Sequence, residues 1–205
     1  MHTNVDLLPL HRIAVTASVD AVAQVTLGQL GDPTPCAGWN LADLIAHMIA
    51  QNRGFAAAAR GLGADLSVWD PATVIGDVAR DPLTAYTESA REVLDAFAAD
   101  GVLETAFALP ELGPDATFPA SMAIGFHFVD SVVHGWDVAR AAGTPFDPPD
   151  DVVAAVLPLA LAIPGGSFRT ADGSPFQPAI AADDGARSLD RVLAHLGRSP
   201  RWTPR

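Results

Sequence analysis

From Phe126 to Asp137 the chain reads Phe-His-Phe-Val-Asp-Ser-Val-Val-His-Gly-Trp-Asp, an apolar run interrupted by ionisable side chains. Successive side chains on a helix turn by about 100°, so His127, Asp130, His134 and Asp137 share an arc of roughly 80°. Burying such a stripe is costly unless something compensates it, and a metal ion is the usual candidate. Asp130 and His134 stand four residues apart, the separation at which side chains on adjacent turns grip one cation. The chemistry this pattern suggests is a metal site inside a helical bundle.

A bundle must bring a third ligand from another helix, and His47 is the obvious supplier. It sits beside Leu44 and Gln51 at the edge of its helix's apolar stripe, which suits a ligand at a cavity lip and also a half-exposed structural histidine, the commoner role of a lone helical His. His127 reads as a fourth ligand, a general base or a satisfied core histidine. Asp137 reads as a group that orients the His134 ring or as a solvated carboxylate. Arg198 and Arg201 are either receptors for an anionic substrate or C-terminal surface anchors. The catalytic candidates are therefore His127, Asp137 and Arg201. Trp39 and Trp136 read as core or cavity wall, and Cys36 as a structural thiol just ahead of a helix N-terminus.

The elements that must hold these residues follow from periodicity and punctuation. Apolar residues at helical spacing run from about Asn4 to Leu30, ended by Gly31-Asp32-Pro33. Asn40 is the expected N-cap of a second helix, with Asp43 three residues on, reaching to about Arg60. Asp81-Pro82 opens a third helix that Gly101 closes. Leu103 to Phe118, with Pro110, Gly113 and Pro114, reads as a loop. A fourth helix runs from near Pro119 to Gly143. Four long helices make a mainly α, four-helix bundle over residues 1–145 the economical architecture. Residues 146–205 form a shorter, partly irregular extension expected to pack on the bundle, with helices over Val152–Ile163, bent at Pro158, and Ser188–Leu196.

Composition narrows the function. Of the 205 residues 49% are hydrophobic and 18% charged, which supports a folded core. The net charge of −12 repels phosphate backbones, so nucleic acid is excluded as a partner. Every one of the 12 basic residues is Arg, so P-loop and Schiff-base lysine chemistry are excluded too. A single Cys rules out an internal disulfide and a multi-Cys zinc cluster. There is no His-Glu-x-x-His motif, and four Glu are too few for a ferritin-like di-metal centre. No apolar run is long enough to cross a bilayer, and Met1 to Asp6 lacks the start of a secretory signal, so the chain is expected to be cytoplasmic.

Taken together, Thr34-Pro35-Cys36-Ala37-Gly38-Trp39-Asn40 followed by His47, then Asp130-x-x-x-His134-Gly135-Trp136-Asp137, resembles the DinB-like superfamily. The branch resembled is the mycothiol-dependent maleylpyruvate isomerase-like proteins and their uncharacterised actinobacterial relatives. The tail, Leu189-Asp190-Arg191-Val192-Leu193 with Gly197-Arg198-Ser199-Pro200-Arg201-Trp202, is similar to the close of that uncharacterised subgroup. The resemblance implies one divalent metal, zinc or nickel, held by His47, Asp130 and His134, with Asp130 standing where the isomerases place Glu. It also implies a low-molecular-weight thiol, mycothiol, as cofactor. The leading expectation is a metal- and thiol-dependent transferase or isomerase acting on a small electrophilic substrate. The alternatives are a non-catalytic metal- or small-ligand-binding bundle, and a family member acting only through a protein interface. A homodimer is compatible with all three, and no membrane partner is expected.

Overall fold

The computed structural model describes residues 7–170 and 176–204, apart from the side chain of residue 168. The first helix, α1 (Leu7–Val22), is shorter than its periodicity predicts. Its expected start at Asn4 lies outside the described residues. It ends early because Thr26 is extended and pairs with Gln29, whose Oε1 accepts from the Thr26 N–H at 3.0 Å. That pair caps a separate 3-10 turn over Leu27–Gln29 instead of prolonging the helix.

The other starts follow their caps. In α2 (Leu41–Ala59), Asn40 Oδ1 accepts from the Asp43 N–H at 2.9 Å. Asp43 Oδ2 returns the contact to the Asn40 N–H at 3.2 Å, which satisfies two helix-end donors at once. A short α3 (Ile75–Arg80) precedes α4 (Pro82–Phe97), where Asp81 Oδ1 accepts from the Thr84 N–H and Pro82 needs no donor partner. The longest helix, α5 (Ala120–Ala142), stops at Gly143, whose φ of +75° is left-handed. Helices α1 and α2 each lie against both α4 and α5, so these four form the expected bundle.

Two segments depart from the sequence reading. The predicted loop 103–118 contains an antiparallel hairpin of β1 (Ala106–Ala108) and β2 (Thr117–Pro119) with Phe107 opposite Phe118. Phe107 is fully buried against Phe97, and that burial is what a three-residue strand needs to persist. Between α2 and α4, 3-10 turns at Leu66–Trp69 and Pro71–Thr73 join α3 in a wall laid along α2. Beyond the bundle, α6 (Asp150–Leu161) packs on α1, α5 and α7 (Ser188–His195), sharing a core of Phe128, Val132, Val156 and Leu193. No helix among the described residues is long and apolar enough to cross a membrane.

The wall is seated by one close approach. The Trp69 ring lies so close to α2 that a Cβ at Gly54 would meet its Cε3 at 2.2 Å. Its indole N–H donates to Gly63 O at 2.9 Å, which leaves the ring little room to retreat. Gly54→Ala gains about 0.5–1 kcal/mol of helix propensity but incurs about 1–3 kcal/mol of overpacking. A net loss of roughly 1 kcal/mol is expected in urea unfolding, and the increment from Gly54→Ala should be smaller when it is added to a Trp69→Leu background.

Candidate metal centre

The fold brings three of the stripe's four residues together and separates the fourth. His134 Nε2 lies 3.2 Å from Asp130 Oδ1, one turn earlier on α5. His47 on α2 points its Nε2 to the same oxygen at 3.8 Å, and the two imidazoles stand edge to face with centroids 5.0 Å apart. One donor atom from each of His47, Asp130 and His134 therefore lies within 4.8 Å of the others. His47 and Asp130 keep 20% and 25% of their side chains exposed against 8% for His134, so the cluster opens on their side. The Trp39 ring packs on His47 at 4.8 Å and forms the rim.

The other nitrogen of His134 is held from behind. Nδ1 donates to Asp137 Oδ2 at 3.0 Å, and Asp137 is fully buried. The same oxygen accepts from the Cys36 thiol at 3.2 Å and from Arg198 Nη2 at 3.3 Å. Arg198 reaches this depth because Gly197, at φ +81°, turns the chain sharply after α7. A Cβ at Gly197 would also strike Gln177 Cβ at 2.6 Å. Arg198 is only 6% exposed and spends its Nη1 on Leu196 O at 2.9 Å. Cys36, His134 and Asp137 form a second group of potential metal donors, but Arg198 Nη2 already lies 3.2 Å from the sulfur. That side of the ring has its cation.

Charge follows this arrangement. Burial pushes the Asp130 carboxyl up, but the facing His134 and His47 outweigh it and hold it well below the ordinary carboxylate range. Burial pushes His134 down, yet Asp130, Cys36 and Asp137 raise it well above an ordinary imidazole. Asp137 is raised by burial and lowered, on balance, by Arg198 and His134. Behind them the Tyr86 hydroxyl donates to Ser18 Oγ at 2.7 Å, and burial, reinforced by Asp130, pushes its pKa up to about 12.

The remaining sequence candidates fall elsewhere. His127 turns into the interior, where its Nε2 donates to Asn52 Oδ1 at 3.0 Å and its Nδ1 accepts from His11 Nε2 at 2.7 Å. Asn52 passes the chain on to Ser89 Oγ at 3.0 Å, and Ser89 to the Tyr86 carbonyl. Phe55 and Phe97 pack on the His127 ring. Arg201 lies at the surface, paired with Asp183 at 2.5 Å, both largely exposed. Arg198 is neither of the things its sequence position suggests, since it binds a carboxylate of its own chain. Trp136 is buried, with the Arg140 guanidinium 5.7 Å from its ring. Sequence reasoning missed the roles of Arg198, Tyr86 and Asn52; only the Gly197 turn hinted that the tail bends inward.

Two outcomes follow. Burial lowers His127 to about 4 and, with the neighbouring His127, lowers His11 as well. The unfolded chain then takes up protons at these rings from about pH 6.5, while folded His127 resists until about pH 4 and folded His11 also resists well below its ordinary range. Stability should therefore fall as pH drops through that window, and a His11→Gln/His127→Gln variant should show a flatter slope in urea midpoints. Arg198→Gln leaves Asp137 buried without its cation, a loss of about 3 kcal/mol. Arg201→Gln, at an exposed pair, should change unfolding free energy by less than about 1 kcal/mol.

Comparison with known proteins places the chain in a family. Residues 11–139, a span that holds His47, Asp130 and His134, match the profile described as the mycothiol maleylpyruvate isomerase N-terminal domain. Uncharacterised proteins from two strains of Mycobacterium tuberculosis are 32% identical over 197 residues, covering 96% of this chain and 100% of theirs. Among solved structures, the mycothiol-dependent maleylpyruvate isomerase superposes with a TM-score of 0.58 at 16% identity. A histidine-to-alanine mutant of it superposes with a TM-score of 0.61 at 14% identity. Each match covers 80% of this chain and 70% of the other, and at that identity what is shared is the fold. With the profile spanning well over half of its length, the chain belongs to the mycothiol maleylpyruvate isomerase N-terminal domain family.

Proposed function

We propose that His47, Asp130 and His134 hold one divalent metal ion, zinc before nickel, and that the protein serves a thiol-dependent isomerisation or S-transfer on a small electrophile. The observation that carries this reading is the convergence of two imidazoles and one carboxylate from two helices on one partly open point. Zinc bonds of about 2.0–2.1 Å place tetrahedral donors about 3.3 Å apart. The observed 3.2 and 3.8 Å contacts are close to that, so the shorter Asp130 reaches both rings despite lacking the methylene of Glu. Family membership supports a thiol of the mycothiol type as the co-substrate.

When bound, such an ion would supply Lewis acidity that draws a coordinated thiol toward its thiolate. The chain's own part is positional. Asp137 keeps the His134 proton on Nδ1, so Nε2 is the atom the ring offers to the cluster. Any proton held between His134 Nε2 and Asp130 Oδ1 must leave for both atoms to act as ligands. His47, which bridges cluster and solvent, sets the direction from which a small molecule arrives.

Elemental mass spectrometry of untagged protein should find about one zinc or nickel per chain, absent from His134→Ala and Asp130→Ala. Loading with Co(II) and adding a low-molecular-weight thiol should then produce a sulfur-to-cobalt charge-transfer band. Metal without any spectral response to thiols would favour a binding protein over an enzyme. No metal after loading would refute the centre itself.

A further inference from the structure

An open pocket of about 500 Å³ adjoins the cluster through His47 and is walled by Trp39, Asp43, Pro71, Ala72 and Ile75. We propose that this pocket is the substrate subsite and that it takes an uncharged, apolar group, aromatic or branched, in preference to a carboxylate. The inference rests on reading the three donors as the reaction centre and names the class of molecule that centre serves.

Three observations converge on it. The cluster opens on this side: His47 belongs to both cluster and pocket, while Asp137 and His134 are closed off behind. Apart from Asp43 and His47 the walls are apolar, and 37% of Trp39 and 42% of Ile75 face solvent, large surfaces that an apolar ligand would cover. The wall is also preformed. Asp70 Oδ1 accepts from the Ala72 N–H at 2.9 Å and the Thr73 hydroxyl donates to Asp70 O at 2.7 Å, which fixes the turn before α3.

Charge at the walls disfavours an anion within the pocket itself. None of the lining residues is Arg, and the lining carboxylate, Asp43, is retained by its place in the α2 cap. Arg198, which touches the cluster, lies behind Asp137 and is committed there. Inside the pocket, away from the proposed ion, a carboxylate would lie beside Asp43 in a chain of net charge −12 with no lining guanidinium to receive it.

Cinnamamide and cinnamate test this, being alike in shape and different in charge. Their binding to the metal-free protein, where no ion can capture the carboxylate, is followed by amide and indole shifts in ¹H–¹⁵N spectra. Cinnamamide should bind at least tenfold more tightly than cinnamate, with shifts centred on Trp39, Ala72 and Ile75. Ile75→Arg, at an exposed position, should bring cinnamate affinity up to or above that of the amide. Equal or tighter binding of cinnamate to the unaltered protein overturns the proposal, as does the absence of shifts in the pocket with either compound at millimolar concentration. Selective binding of the amide to a protein that proves unable to hold metal would keep the pocket and remove the centre, so the two readings fail separately.

Discussion

An imidazole enclosed by two carboxylates is the constraint around which this molecule is arranged. His134 faces Asp130 through one nitrogen and Asp137 through the other, on a helix whose other inward positions are apolar apart from His127 and Ser131. Charges this deep are stable only when each is answered. The protein answers in two directions. Inward, Arg198 and the Cys36 thiol converge on Asp137 Oδ2, although Asp137 Oδ1 and Arg198 Nε lack a hydrogen-bond partner among the described residues. Outward, His47 and solvent face Asp130, which leaves that side of the ring accessible. The asymmetry between a closed and an open face turns a run of ionisable residues into something that can bind.

The second polar feature of the bundle is separate in kind. His11, His127, Asn52 and Ser89 form a chain in which each proton has one assigned direction, ending on a backbone carbonyl. Aromatic rings close around it, and both imidazoles are held neutral by burial. Such a fully satisfied network specifies how α1, α2, α4 and α5 meet, at little cost, because no charge is stored in it.

Much of this was legible in the sequence for a simple reason: it depends on local spacing. Asp130 and His134 had to be neighbours once α5 was a helix, and Asn40, Pro82 and Gly143 marked helix ends through chemistry confined to a few residues. What was not legible depends on distant chain. An arc of roughly 80° on α5 spans more than one neighbouring helix, so His127 at its edge meets His11 while Asp137 at the other edge meets Arg198. Nothing local says which partner each will find. The short turns and α3 that wall the pocket were unread because their segments are too brief for a period, and the hairpin was hidden by its Pro and Gly punctuation.

The contact between Arg198 and Cys36 spans 162 residues and closes the chain upon itself. A ribosome releases the bundle helices well before it delivers that arginine. Until the tail emerges, Asp137 waits inside the nascent bundle with its cation still unmade. The innermost layer of the cluster is thus the last to be finished, and a chain stalled short of Gly197 would carry every outward-facing donor yet lack the group that answers the buried charge behind them.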